Sequence, residues 1–227
     1  MALTLYFHPF SSYCQKALIA LYENGTPFTP KIINLGDAAS AAELKRVWPI
    51  GKFPVLRDEA RGETIPESSI IVEYLARHYP GPVKLIPTDP DIALKVRQRD
   101  RFLDLYINDP MSKIVTDNFR PSGKNDPHGV EMARQMLPRA YDVLEAELGG
   151  AWGVGDTFTL ADCAAAPFLF YANLVAPISD RHIKLIAYFN RLAARPSFVR
   201  ALRDAEPYHK GTPFEEAYRA QYDRLMG

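Results

Sequence analysis

The chain has 227 residues, 47% of them hydrophobic, and its 27 lysines and arginines are matched by 27 aspartates and glutamates. That is enough apolar mass for one large core or two smaller ones, and the charge balance excludes general attraction to nucleic acid or an anionic membrane. Two cysteines, Cys14 and Cys163, are too few for a disulfide framework and lack the clustered spacing of a zinc site, so reduced thiols and no metal are expected.

The N-terminus lacks a basic region followed by a long apolar stretch, and no later run approaches membrane-spanning length. A cytoplasmic protein with no membrane partner is expected. Leu3 to Phe7 reads as a strand, and Pro9, Ser11 and Ser12 mark a turn into a helix carrying Ala17, Leu18, Leu21 and Tyr22 on one face. Asn24 and Gly25 stop that helix, and Phe28 to Leu35 reads as a second strand, parallel to the first because a helix joins them. Lys52 to Arg57 and Glu63 to Ile65 are spaced for an antiparallel hairpin. Glu67 then opens a helix with Ile70, Ile71, Tyr74 and Leu75 in a stripe, which Tyr79 to Pro82 terminate.

From Asp91 onward no segment reads as a strand. Long helical patterns are punctuated near 120–129, 149–155 and 176–181, so the second half is expected to be all helix. Its first helix carries Ile92, Val96, Leu103, Ile107, Met111 and Ile114, with a kink expected at Pro110. Near the end, Phe214, Tyr218, Tyr222 and Leu225 share one face that either packs on the helical core or covers a site. The expected division is 1–80 for a thioredoxin-like domain, 81–90 for a linker and 91–227 for an all-helical domain.

Chemistry concentrates at three places. Ser11 and Ser12 stand where a strand ends and a helix begins, so unsatisfied N–H groups and the positive helix end converge there; a serine in that position serves as a cap, an anion site, or both. Pro54, at the start of a strand, turns the Phe53 backbone outward for pairing with a peptide if its bond is cis. Glu67 and Ser68 open the next helix with a carboxylate suited to an ammonium group and with hydroxyl and N–H donors suited to a carboxylate.

Ser11-Ser-Tyr-Cys14, Lys52-Phe-Pro-Val-Leu56 and Ile65-Pro-Glu-Ser68, in that order, resemble the glutathione site of the cytosolic glutathione transferases. Gly155 to Asp162 is similar to that family's capping box and hydrophobic staple, with Thr159 and Asp162 exchanging bonds and Phe158 packing on Cys163. The resemblance spans essentially the whole chain. It implies glutathione as co-substrate, a homodimer, and a small, largely apolar electrophile bound by the helical half.

Carried over residue by residue, Ser11 matches the catalytic serine of the theta-like and zeta-like classes, with Ser12 as the alternative hydroxyl. Phe53 offers its backbone to the cysteinyl part of glutathione, Pro54 sets its direction, Glu67 and Ser68 hold the γ-glutamyl end, and Lys52 or Lys45 meets the glycyl carboxylate. Phe7 stands where the tyrosine classes carry their catalytic tyrosine, so that role is not transferred. Cys14 holds the second position of a Cys-x-x-Cys whose first position is Ser11. Tyr106, Met111 and Phe119 fit the helical core and a second-substrate pocket equally well.

A free thiol ionises near 8.5, and lowering that by about two units takes roughly 2.7 kcal/mol of preferential thiolate stabilisation. A hydroxyl bond to a charged acceptor supplies about 1.5–3 kcal/mol and a helix terminus about 0.3–1, so together they suffice without a general base. Two rivals share the fold: a thiol-disulfide oxidoreductase using Cys14, and a non-enzymatic glutathione-binding protein.

Overall fold

A computed structural model describes residues 2–227. In β1 (Leu3–Phe7), Leu3, Leu5 and Phe7 are buried and Thr4 and Tyr6 are partly exposed, the two-residue alternation of a strand covered differently on its two faces. The sheet has four strands in the order β2-β1-β3-β4. β2 (Thr29–Ile32) runs parallel to β1, whereas β3 (Val55–Asp58) and β4 (Glu63–Pro66) form the antiparallel hairpin.

α1 (Ser12–Glu23) and α3 (Ser68–His78) cover one face, where Leu3, Leu5, Phe7, Leu56 and Ile65 join the main core. A smaller core of Ile33, Leu44 and Val55, flanked by Tyr6, Val47 and Trp48, lies under α2 (Ala38–Val47) on the other face. α2 is absent from the sequence reading. Leu44 is its one fully buried residue, so it has no apolar stripe to betray it; its signals are the good helix formers of its Ala-Glu-Leu-Lys run and the Asp37 cap, which accepts the Ser40 N–H at 2.8 Å. β2 is shorter than expected because Ile33, though bonded to the Phe7 carbonyl at 2.8 Å, turns down into the small core.

The second half is helical: α4 (Pro90–Phe102), a π-helical turn (Leu103–Asn108), α5 (Asp109–Asp117), α6 (Pro127–Glu147), α7 (Leu160–Val175), α8 (Ile183–Ala193), α9 (Pro196–Ala205), a 3-10 turn (Glu206–Tyr208) and α10 (Glu215–Met226). Every residue from Leu160 to Ala172 is buried, so α7 is the axis on which α1, α4 and α8 pack. Its capping box forms as read: the Thr159 N–H donates to Asp162 Oδ2 at 2.8 Å, and Asp162 Oδ1 also accepts from Gly153 and Tyr188. The backbone widens into the π turn just ahead of Pro110, which takes the second position of α5.

α1 holds the two halves together with polar contacts. Lys16 is fully buried; its Nζ lies 2.6 Å from Asp100 and 3.1 Å from Asp104 and donates to Ser69 Oγ at 2.8 Å. Further along, Glu23 pairs with Arg195 of the α8–α9 junction at 2.6 Å, and Tyr22 donates to Asp204 at 2.9 Å. Among the described residues, no helix is long and apolar enough to cross a membrane.

Candidate active site

A cleft of about 450 Å³ opens where the sheet domain meets α4 and the π turn. Lys52, Phe53, Pro54, Glu67 and Ser68 all line it, joined by Tyr13, Trp48, Arg101, Asp104 and Asp109. The Phe53–Pro54 peptide bond is cis. Among the described residues, the Phe53 backbone takes no intrachain hydrogen bond, so its N–H and C=O are available to an extended peptide.

Glu67 is the one non-glycine residue with positive φ among those described, at φ 67° and ψ 119°. Such a conformation costs about 1–3 kcal/mol and persists where the surrounding structure imposes it, typically at ligand sites. The next residue, Ser68, is buried and begins α3, so hydroxyl and helix N–H donors lie beside the Glu67 carboxylate. An ammonium and a carboxylate on one carbon fit that pair. Asp104 is matched by Lys16 at 3.1 Å and by Arg101 at 3.7 Å, which leaves Lys52 as the cleft's cation and Glu67 and Asp109 as its anions.

The two serines occupy different environments, and neither contributes to the cleft lining. Ser11 is half-buried and caps α1 by accepting the Cys14 N–H at 3.4 Å. Ser12 is buried and donates to Asn108 Oδ1 at 2.8 Å. Cys14 is fully buried, its sulfur accepts the His8 N–H at 3.4 Å, and burial pushes its thiol up to about 12. A thiol in that state is a poor nucleophile. Lys45 lies on the exposed side of α2 with its stem over Gly51, outside the cleft.

A second, smaller cavity of about 130 Å³ is lined by Phe10, Val115, Phe119, Tyr171, Phe214 and Tyr218, among others. Its wall is apolar, and the segment leading into α10 closes one side. Phe119 reaches it, but Tyr106 and Met111 line neither cavity. Met111 is buried in the core beside Ile107 and Ile114, and Tyr106, one residue before Ile107, stands roughly a quarter turn round the helix, exposed and packed on Phe102. Among the described residues, no group of three or more His, Cys, Asp or Glu is placed to hold a metal ion.

Sequence reasoning passed over Tyr13, Lys16 and the Asp100–Asp104 pair. Lys16 had a signal: a lysine inside the apolar run of α1, with two aspartates one helical turn apart elsewhere to receive it. Tyr13 had none beyond lying inside the serine motif.

Residues 5–83 match the family model for the glutathione S-transferase N-terminal domain, and residues 127–191 match that for its C-terminal domain. A glutathione S-transferase-like protein of a Fusarium species is 32% identical over 163 residues, covering 69% of this chain and 71% of that protein. A glutathione S-transferase from Methylobacterium radiotolerans, solved in complex with glutathione sulfonate, is 32% identical with a TM-score of 0.75, covering 88% of this chain and 93% of that one. A glutathione S-transferase from Methylobacillus flagellatus, solved with glutathione bound, gives a TM-score of 0.77 at 26% identity and covers 88% and 98%. With models matching in both halves and a relative of this identity spanning more than two thirds of its own length, the chain belongs to the cytosolic glutathione S-transferase family.

Proposed function

We propose that this protein is a glutathione transferase that binds glutathione in the larger cleft and directs its thiolate at a small, largely apolar electrophile held in the smaller cavity. One observation carries the reading: the unpaired Phe53 backbone, the Glu67 carboxylate, Ser68 at the start of α3 and Lys52 converge on one cleft, a donor and acceptor set that answers each charged group of a γ-glutamyl tripeptide. Two solved relatives with bound glutathione or glutathione sulfonate support it.

The thiol would lie toward the N-terminus of α1, where Ser11 accepts from the Cys14 N–H and retains its own proton for a sulfur acceptor. Ser12 is committed to Asn108, which favours Ser11 as the serine of a theta-like or zeta-like enzyme. The thiol proton passes to solvent, a sulfur lone pair forms the new carbon–sulfur bond, and with a halide substrate the leaving group departs with the bonding pair. The protein supplies thiol activation and positioning.

A homodimer fits the same reading, since Ile70 of α3, Leu94 of α4, and Leu105 and Tyr106 of the π turn are exposed apolar side chains, two of which, Ile70 and Leu105, border the cleft. The domain division 1–80, 81–90 and 91–227 belongs to it as well. The test is calorimetric titration with glutathione together with conjugation of chlorodinitrobenzene. Saturable one-site binding and turnover above the uncatalysed rate are expected; tight binding without turnover would assign the fold to glutathione binding alone, and no binding would sink the proposal.

A further inference from the structure

The hydroxyl best placed to meet the bound sulfur is neither serine. Ser12 is spent on Asn108 at 2.8 Å, and Ser11 caps the helix outside the cleft lining. Tyr13 follows in the first turn of α1 and lines the cleft alongside Phe53, Pro54, Glu67 and Ser68. Its ring is held edge-on against the buried Phe168, with centroids 5.3 Å apart at 78°.

Asn108, the last residue of the π turn, is fully buried, and its Nδ2 has no hydrogen-bond partner. Its Oδ1 takes the Ser12 proton at 2.8 Å, which holds the unpartnered Nδ2 donor at the first turn of α1, where Tyr13 also stands. A phenol hydroxyl accepts as well as donates, so an amide donor at its oxygen leaves its own proton for a partner in the cleft that Tyr13 lines. π turns are frequent at functional sites, and here the turn brings an otherwise unpartnered amide to the start of α1.

We infer that the Tyr13 hydroxyl, backed by Asn108, donates the hydrogen bond that holds the bound glutathione sulfur as a thiolate, with Ser11 contributing less. This rests on the proposed function of the cleft. Tyr13 keeps its proton throughout, and the thiol proton leaves to solvent. Burial raises the Tyr13 ionisation first; the Asn108 amide opposes that, and the carboxylates of Asp104, Asp109 and Glu67 raise it further. A phenol in that setting stays protonated at neutral pH and acts as a donor.

The test is the ultraviolet absorbance of bound glutathione thiolate against pH, at saturating glutathione, in the parent, Tyr13→Phe and Ser11→Ala, with the glutathione Kd of each measured by calorimetry. Phenylalanine keeps the ring on Phe168 and removes only the donor. In Tyr13→Phe the thiol transition should move up by about one pH unit, roughly tenfold in its ionisation constant, while the Kd at low pH stays within about threefold of the parent. Ser11→Ala should move it less. An unmoved transition in Tyr13→Phe with the thiolate lost in Ser11→Ala overturns the inference and leaves the proposed function standing. A parent that fails to bind glutathione, or binds it with an ordinary thiol, overturns both.

Discussion

The cleft beside Phe53 and the apolar cavity beside Phe119 share no lining residue and are built in opposite ways. The larger cleft draws most of its lining from three short segments, around 13, 52–54 and 66–70, each a strand end or helix start whose backbone and side chains work together. The smaller cavity takes Phe10, Val115, Phe119, Tyr171, Phe214 and Tyr218 from the first turn, α5 and its end, α7 and the start of α10, and its wall is apolar. Recognition of charged, peptide-like groups demands particular backbone geometry, which short motifs encode locally. An apolar pocket demands only shape, which any suitably placed side chain supplies.

The largest expected effect removes the link between the two regions. Lys16→Ala leaves Asp100 buried without its cation and Asp104 with only the exposed Arg101 at 3.7 Å, and should cost about 3–5 kcal/mol, read as a lower urea midpoint with both cavities lost together. Survival of glutathione binding at full affinity in that variant would mean the cleft does not depend on the helical half.

Next in size are changes at Glu67 confined to the cleft. Glu67→Gln removes the charge offered to an ammonium group and should weaken glutathione binding by about 1.5–3 kcal/mol. Glu67→Gly should also weaken binding yet raise thermal stability by about 1 kcal/mol, because glycine adopts φ 67° without strain. A drop in both quantities would show that the residue serves the fold and not the ligand.

Phe214→Ala addresses the other cavity. It should cost about 1–2 kcal/mol of stability for a partly buried aromatic, raise KM for an apolar electrophile by about tenfold and leave the glutathione Kd unchanged. Equal changes in both affinities would erase the distinction between the regions.

The smallest effect is at His8, between the rings of Phe53 and Tyr208, where burial lowers the imidazole pKa. The folded state prefers the neutral ring, so below about pH 6.5 the unfolded chain takes up the proton more readily and the His8 contribution to stability declines as pH falls. An NMR titration of the His8 ring should give a midpoint below that of a free histidine; one above it would place an unsuspected anion beside the ring.

Much of this was legible from residue order. β1, α1, the hairpin and the Thr159–Asp162 box each follow from patterns within a dozen residues, where hydrophobic period, caps and turns act directly on neighbouring backbone. α2 escaped because its burial is almost all in Leu44, and a helix read by its stripe is invisible without one. Tyr106 and Met111 could be placed on a helix but not assigned to a cavity, because a helix has several faces and only packing decides which one meets a neighbour.

The sequence by itself determined the family, the two-part fold and five residues that line the larger cleft, Lys52, Phe53, Pro54, Glu67 and Ser68, since those depend on local backbone geometry and ordered motifs. Tertiary structure alone decided which hydroxyl is free. Ser12 is occupied by an asparagine 96 residues away, and Lys16 meets an aspartate 88 residues away. A side chain's chemistry is set by what it touches, and contacts across such distances arise only when the helical half folds back onto α1.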